Sequence, residues 1–320
     1  MNVSETKSKT AISFFLAIAI SCAFFLIIMF SLPDSLYTMY ENFFSQTLSE
    51  KDKIFILGSS HVYSINPIII SDYLKENNYE FEVYNLSGPG DDFEERERAI
   101  DMIINQQPKI LVYGIEPRAF ESAGRSTTQL PDNPLPNLGS ITELFNMVDL
   151  GDKKGIIKNP KFAVIRTISN PVQEKNIENH PYPNSPFLTY NPDMTKITDQ
   201  NGLYDIRPEY VAKIHPVEKN SGLHALYNII NKLEKNNIKV VLFVTPHSEF
   251  YLEAYPENQA KIFQEILDDI SEKHGIMIHS LYDNYAELNV WHDHTHLAAN
   301  DNTNFYSKDV AVFIINELER

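Results

Sequence analysis

Two spacings of apolar residues alternate along this chain. Short runs rich in Val, Ile, Leu, Phe and Tyr have the length and composition of buried strands: "IFIL" (54–57), "FEVYNL" (81–86), "KILVYGI" (109–115), "KVVLFVT" (239–245) and "GIMIHSLY" (275–282). Between them, apolar residues recur every three or four positions in "PIIISDYLKENN", "DDFEERERAIDMIINQQ", "SGLHALYNIINKLEKNN" and "NQAKIFQEILDDISEKH". Helix-starting pairs stand near two of these, Asn66-Pro67 and Ser221-Gly222, and "NFYSKDVAVFIINELER" closes the chain as a further helix. Strand–helix alternation predicts a mostly parallel sheet covered on both faces, a three-layer α/β/α sandwich. Ligands of such sheets bind beyond the carboxyl ends of the strands.

Two stretches depart from the alternation. Residues 117 to 220 are dense in proline, among them Pro131, Pro134, Pro136, Pro181, Pro183 and Pro186. That is too long for a plain loop, so it reads as a cap or lid inserted after the third strand, with "ITELFNMVDL" (141–150) as a helix within it. Residues 11 to 32, "AISFFLAIAISCAFFLIIMFSL", carry no charge and suffice to cross about 30 Å of hydrocarbon. A cleaved signal has a shorter apolar core, so this reads as a retained transmembrane anchor. Lys7 and Lys9 precede it, whereas Asp34, Glu41 and Glu50 follow. The charge bias predicts residues 1–10 in the cytoplasm, a juxtamembrane helix or tether over 33–50, and the domain of 51–320 outside the cell.

Composition narrows the chemistry. Lys and Arg number 27 against 43 Asp and Glu, for a net charge of −16, and no basic stripe is present, which argues against a nucleic-acid partner. Cys22 is the single cysteine and lies inside the apolar segment, so neither a disulfide framework nor a thiolate zinc site is expected.

The candidate chemistry gathers in two places. "KIFILGSSH" stops an apolar strand on Gly58-Ser59-Ser60-His61, and "VWHDHTHLAAND" (290–301) sets three histidines into a polar connection before the last helix. His292, His294 and His296 alternate, and on an extended segment they would share one face, as metal-binding histidines do. Alternatively, Asp293 reaches His296 across one turn and orients its imidazole toward a serine as a general base. Both blocks follow strands, so a serine and an Asp-x-x-His pair could meet at one sheet edge.

At these residues the chain resembles the SGNH (GDSL-type) hydrolases, whose flavodoxin-like domain carries a Gly-Asp-Ser block after its first strand and an Asp-x-x-His block near its end. The resemblance implies Ser60 as nucleophile, His296 as general base and Asp293 as its orienting acid. Ser59 stands where the family has Asp, a form similar to that of membrane-anchored DltD-like proteins, which serve acyl transfer to surface polymers. In "YNLSGPGDD" (84–92), Gly90 matches the glycine whose N–H joins that of Ser60 in the oxyanion hole. Apart from this match, the stretch reads as a strand-to-helix turn capped by Asp91 or Asp92.

The third block departs from the family. Gly114-Ile115-Glu116-Pro117-Arg118 places Glu116 where an Asn completes the oxyanion hole. An ionised carboxylate cannot donate there. Three resolutions stay open: Glu116 is protonated, Arg118 or another group substitutes, or the site is weak or dead. Arg118 could also grip an anionic substrate or pair with Glu116. Ser59, His61 and His247 are further candidates to line the pocket, and Trp291, the one tryptophan, either packs beside it or offers a sugar-stacking platform. The expected activity is that of an extracytoplasmic serine esterase or O-acyltransferase without cofactor. Its substrate would be an acylated envelope glycan or lipid, and its partners the bilayer and a membrane-embedded acyltransferase. A metal-dependent hydrolase and a non-catalytic assembly protein are the alternatives.

Overall fold

The computed structural model describes residues 35–45, 48, 50–88, 92–121, 182, 184–187, 192–199 and 213–320. The charge-free segment 11–32, most of the proline-rich insertion with 141–150, and Gly90 lie outside them. Among the described residues no helix is long and apolar enough to cross a membrane.

Five parallel strands form one sheet: β1 (Lys53–Leu57), β2 (Glu82–Asn85), β3 (Ile110–Ile115), β4 (Lys239–Val244) and β5 (Ile278–Ser280), in the order β2-β1-β3-β4-β5. The period of two along them sorts their side chains. Phe55, Leu57, Tyr84, Leu111, Tyr113, Leu242 and Val244 face one buried layer, and Ile54, Ile56, Val83, Val112, Val241 and Phe243 the other. The first layer is completed by α1 (Ser35–Phe44), α3 (Phe93–Ile104), α4 (Ser221–Lys235) and α6 (Glu257–His274). The second is closed by α2 (Pro67–Glu76) and α7 (Asn304–Leu318). This is the three-layer arrangement that the alternation predicts.

Local chemistry fixes where the helices begin. Asn66 Oδ1 accepts from Ile68 N with Pro67 in the first turn, and Asp92, rather than Asp91, caps α3 by accepting from Glu94 N and Glu95 N. Gly275 ends α6 at φ 64°, the left-handed position that glycine takes most readily. One short helix, α5 (Glu249–Ala254), is capped by Ser248 and was hidden by its length. The expected fifth strand shrinks from 275–282 to three residues, because it pairs with β4 alone, at the sheet's edge.

Residues 35–44 take the helical form, and this helix packs on the sheet. Within α1, Tyr40 is fully buried, and its ring stacks on Phe44 and contacts Phe187. Phe43 meets Tyr84, and Phe44 meets Phe55. The described parts of the insertion also dock. Asn85 N donates to Asn184 O, and Asn184 Nδ2 donates to Val83 O, along the outer edge of β2. Residues 192–199 brace the histidine block: Ala299 N donates to Met194 O, Thr198 N to Trp291 O, and Asn300 Nδ2 to Thr195 O.

Candidate active site

The strand β1 stops at Gly58 for a steric reason. Its φ is +146°, and a Cβ there would lie 2.4 Å from Val62 Cγ2 and 3.0 Å from Gly114 O. Only glycine fits so tight a turn against the neighbouring strand. The chain then enters a single 3₁₀ turn, Ser60–Val62, capped by the Ser59 hydroxyl, which accepts from His61 N. Asn85, at the end of β2, holds that turn from below by donating to Val62 O and Ile65 O. Ser60 is thereby lifted off the carboxyl edge of the sheet with its side chain partly exposed.

The histidine block arrives from the other end of the chain as a tight hairpin, whose turn brings Asp293 to His296. His292 N donates to His296 O, and Trp291 pairs with Leu297 across the loop. Asp293 Oδ1 accepts from Thr295 N and His296 N, both at 2.8 Å, so the loop folds around its own carboxylate. That places Asp293 Oδ2 2.8 Å from His296 Nδ1, and leaves Nε2 2.7 Å from Ser60 Oγ. Burial alone would raise the Asp293 pKa. The hydrogen bond and charge of His296, with the two loop N–H groups, outweigh it and hold the carboxyl well below its usual range. Ser60, His296 and Asp293 therefore form one hydrogen-bonded relay, and a carboxylate facing Nδ1 favours the tautomer whose Nε2 lone pair can accept the Ser60 proton.

Glu116 is neither protonated nor paired with Arg118. The register of β1 with β3 pairs Leu57 with Tyr113, so the turn after one strand lies beside the turn after the other. Glu116 Oε1 accepts from the Ser59 hydroxyl, and Oε2 lies 2.9 Å from His61 Nε2. Burial pushes its pKa up. The facing His61 and the Ser59 hydroxyl more than reverse this and bring it to about 2. Glu116 is thus ionised rather than protonated, and its carboxylate goes to His61 and Ser59 rather than to Arg118, which is exposed. Ser59 and His61, both buried, serve this pair instead of lining an open pocket.

His247 is fully buried, stacked on Tyr251 at 4.5 Å and edge-on to His61 at 5.2 Å. Desolvation drops its pKa far below the usual histidine value, so the ring is neutral, and neither nitrogen has a partner among the described residues. The His61 ring in turn lies 4.7 Å from that of His296. Three imidazoles and one ionised carboxylate therefore sit behind Ser60.

At two places one of the alternatives falls away. Trp291 is 2 % exposed, packed in the layer under α7 with Nε1 donating to Tyr285 O, so it offers no sugar-stacking face. Two of the three imidazoles in the hairpin turn to different partners: His292 Nδ1 lies 3.3 Å from Lys196 O, and His296 Nε2 faces Ser60. Among the described residues no group of three His, Cys, Asp or Glu side chains could hold a metal ion. Thr295 and Ser248, which tie down the hairpin, had no motif to flag them. The oxyanion role read for Gly90 falls outside the described residues. The Ser60 N–H, its proposed companion, has no acceptor among them.

No protein-family model matches the chain, and comparison with curated proteins finds no match. Among solved structures, the chain is similar to that of TesA, at 9% identity and a TM-score of 0.42, covering 82% of this chain and 98% of that one. It is also similar to the psychrotrophic esterase EstA from Pseudoalteromonas sp., solved inhibited by monoethylphosphonate. There the identity is 9% and the TM-score 0.39, over 84% of this chain and 97% of that one.

Proposed function

We propose that this chain is an SGNH-type serine esterase or O-acyltransferase, anchored in a membrane through residues 11–32 with its domain outside the cytoplasm. The observation that carries the reading is the relay itself: Ser60 Oγ to His296 Nε2 at 2.7 Å, and His296 Nδ1 to Asp293 Oδ2 at 2.8 Å. Serine and histidine are 236 positions apart in sequence. Their meeting at the carboxyl edge of a parallel sheet is the juxtaposition nucleophilic acyl transfer needs.

In the proposed reaction, Ser60 Oγ bonds to the acyl carbon of an ester while its proton passes to His296 Nε2. The ionised Asp293 stabilises the imidazolium and keeps Nδ1 facing it. The oxyanion takes the Ser60 N–H, with Gly90 N–H as the second donor, each worth about 3 kcal/mol in such sites. Collapse breaks the ester C–O bond, and His296 returns its proton to the leaving alcohol. Water or a glycan hydroxyl then attacks the acyl-Ser60 by the same steps in reverse. The charge-free segment and the acidic flank after it favour an envelope glycan or lipid as substrate. A membrane-embedded acyltransferase would be the partner if transfer rather than hydrolysis is the outcome.

A fluorophosphonate probe tests this. Labelling of the folded protein that vanishes in Ser60→Ala and survives a chelator supports a serine nucleophile. A correctly folded protein that takes no label would favour a binding or assembly role.

A further inference from the structure

The direction in which α1 lies on the sheet has a bearing on where the substrate comes from. Its aromatic contacts give its course residue by residue. Phe43 and Phe44 meet Tyr84 and Phe55, which are register partners near the middle of β2 and β1. Tyr40, one turn earlier, sits 5.4 Å under the Arg96 guanidinium, whose Nη2 donates to Leu86 O beyond the end of β2. From Phe44 back to Tyr40 the helix therefore climbs from mid-sheet to the carboxyl edge. Chain connectivity agrees, since after α1 the backbone must reach Lys53, at the amino edge, to begin β1.

Ser35 lies five residues before Tyr40, which at 1.5 Å per residue is about 7 Å further in the same direction. The helix thus starts at or beyond the level of Ser60, on the same side of the sheet. Only Pro33 and Asp34 separate it from Leu32, the last residue of the charge-free segment. The three residue steps from Leu32 to Ser35 reach at most about 11 Å. With α1 packed into the core through a fully buried Tyr40, the domain has no long tether on which to turn over.

We infer that the carboxyl edge of the sheet, with Ser60 and His296, faces the surface of the bilayer that holds residues 11–32, and that the acyl ester it takes is carried by a lipid of that bilayer. The inference rests on the anchored-esterase reading above and adds to it an orientation and a substrate source. A tethered site facing its own membrane meets lipid-borne esters at the high effective concentration of an intramolecular encounter, whereas soluble esters gain nothing from the tether.

The test uses the full chain with Cys22→Ser, reconstituted in phospholipid vesicles. Single reporter cysteines replace Asn302, exposed at the carboxyl edge before α7, and Met277, 43 % exposed at the amino edge before β5. Each is labelled with bimane, and quenching is measured with nitroxide-headgroup lipids. The expected result is strong quenching at 302 and little at 277. Equal quenching, or more at 277, overturns the orientation. A chain that does not float with the vesicles overturns both the orientation and the anchor. In the same vesicles, a fluorogenic acyl-ester lipid should be turned over about a hundredfold faster when it shares the bilayer with the protein than when it sits in separate vesicles. No difference between the two overturns the lipid source. Fluorophosphonate labelling of Ser60 is scored in parallel, so a dead nucleophile and a misoriented domain give different outcomes.

Discussion

His61 Nε2 and Glu116 Oε2 stand 2.9 Å apart in a compartment that leaves their side chains only 6 % and 9 % exposed. The pair is not part of an oxyanion hole. It ties the residue after Ser60 to the turn after β3, and the Ser59 hydroxyl completes the carboxylate's bonding. Removing the carboxylate strands two buried polar groups at once. Glu116→Ala is expected to cost about 3–5 kcal/mol in urea unfolding. Glu116→Gln keeps an acceptor for Ser59 and should cost less. Equal losses would mean the charge itself, not the hydrogen bonding, dominates.

The same carboxylate makes stability depend on pH. Its folded pKa of about 2 lies below the ordinary 4.5, so between those values the unfolded chain holds a proton that the native one lacks. Stability is then fully present above pH 4.5 and is lost as pH falls toward 2, by about 3 kcal/mol if the unfolded value is the ordinary one. Asp293 acts in the same direction, its pKa being held low. Urea midpoints taken across this range should fall steeply for the native chain, and the slope should flatten in Glu116→Gln.

The relay should fail as a unit. Ser60→Ala and His296→Ala are each expected to lower kcat on a p-nitrophenyl ester by on the order of 10⁵-fold, and the double variant by no more than either. Asp293→Ala should be milder, on the order of 10⁴-fold. Because Asp293 also gathers the N–H groups of Thr295 and His296, this variant should in addition loosen the hairpin, seen as faster amide exchange there. Additive losses from Ser60→Ala and His296→Ala would separate the two side chains functionally.

Gly58→Ala should cost about 3 kcal/mol or more, since it combines a disfavoured φ of +146° with a contact of 2.4 Å to Val62 Cγ2. Trimming the obstacle with Val62→Ala removes the contact but not the backbone strain. In a double-mutant cycle the pair should therefore be less destabilised than the sum of the singles. Strict additivity would place the whole penalty in φ.

What the sequence disclosed and what it concealed divide along physical lines. Strands β1 to β4 showed through because they are buried on both faces, and the relay because its three members occur in two short local motifs. The true partners of Glu116 lie up to 57 positions away and become neighbours only through the parallel register of β1 and β3. Pairing the ends of those two strands on paper would have set Ser59 and His61 beside Glu116. Trp291 could not be decided from sequence for another reason. Its burial comes from a hairpin contact with Leu297 and a shelf under α7, neither of which leaves a periodic trace. The docking of α1 was equally silent, since aromatics after a long charge-free segment look the same whether they face lipid or a core.

Asn184 sits against the outer strand of the sheet, taking up a donor from Asn85 and offering its amide to Val83. Those are backbone groups that a second chain would need in order to add a strand there. At the opposite border β5 presents three residues, too few to template pairing. Held at high density on a surface, molecules of this kind would collide edge to edge often, yet neither border invites polymerisation into a shared sheet.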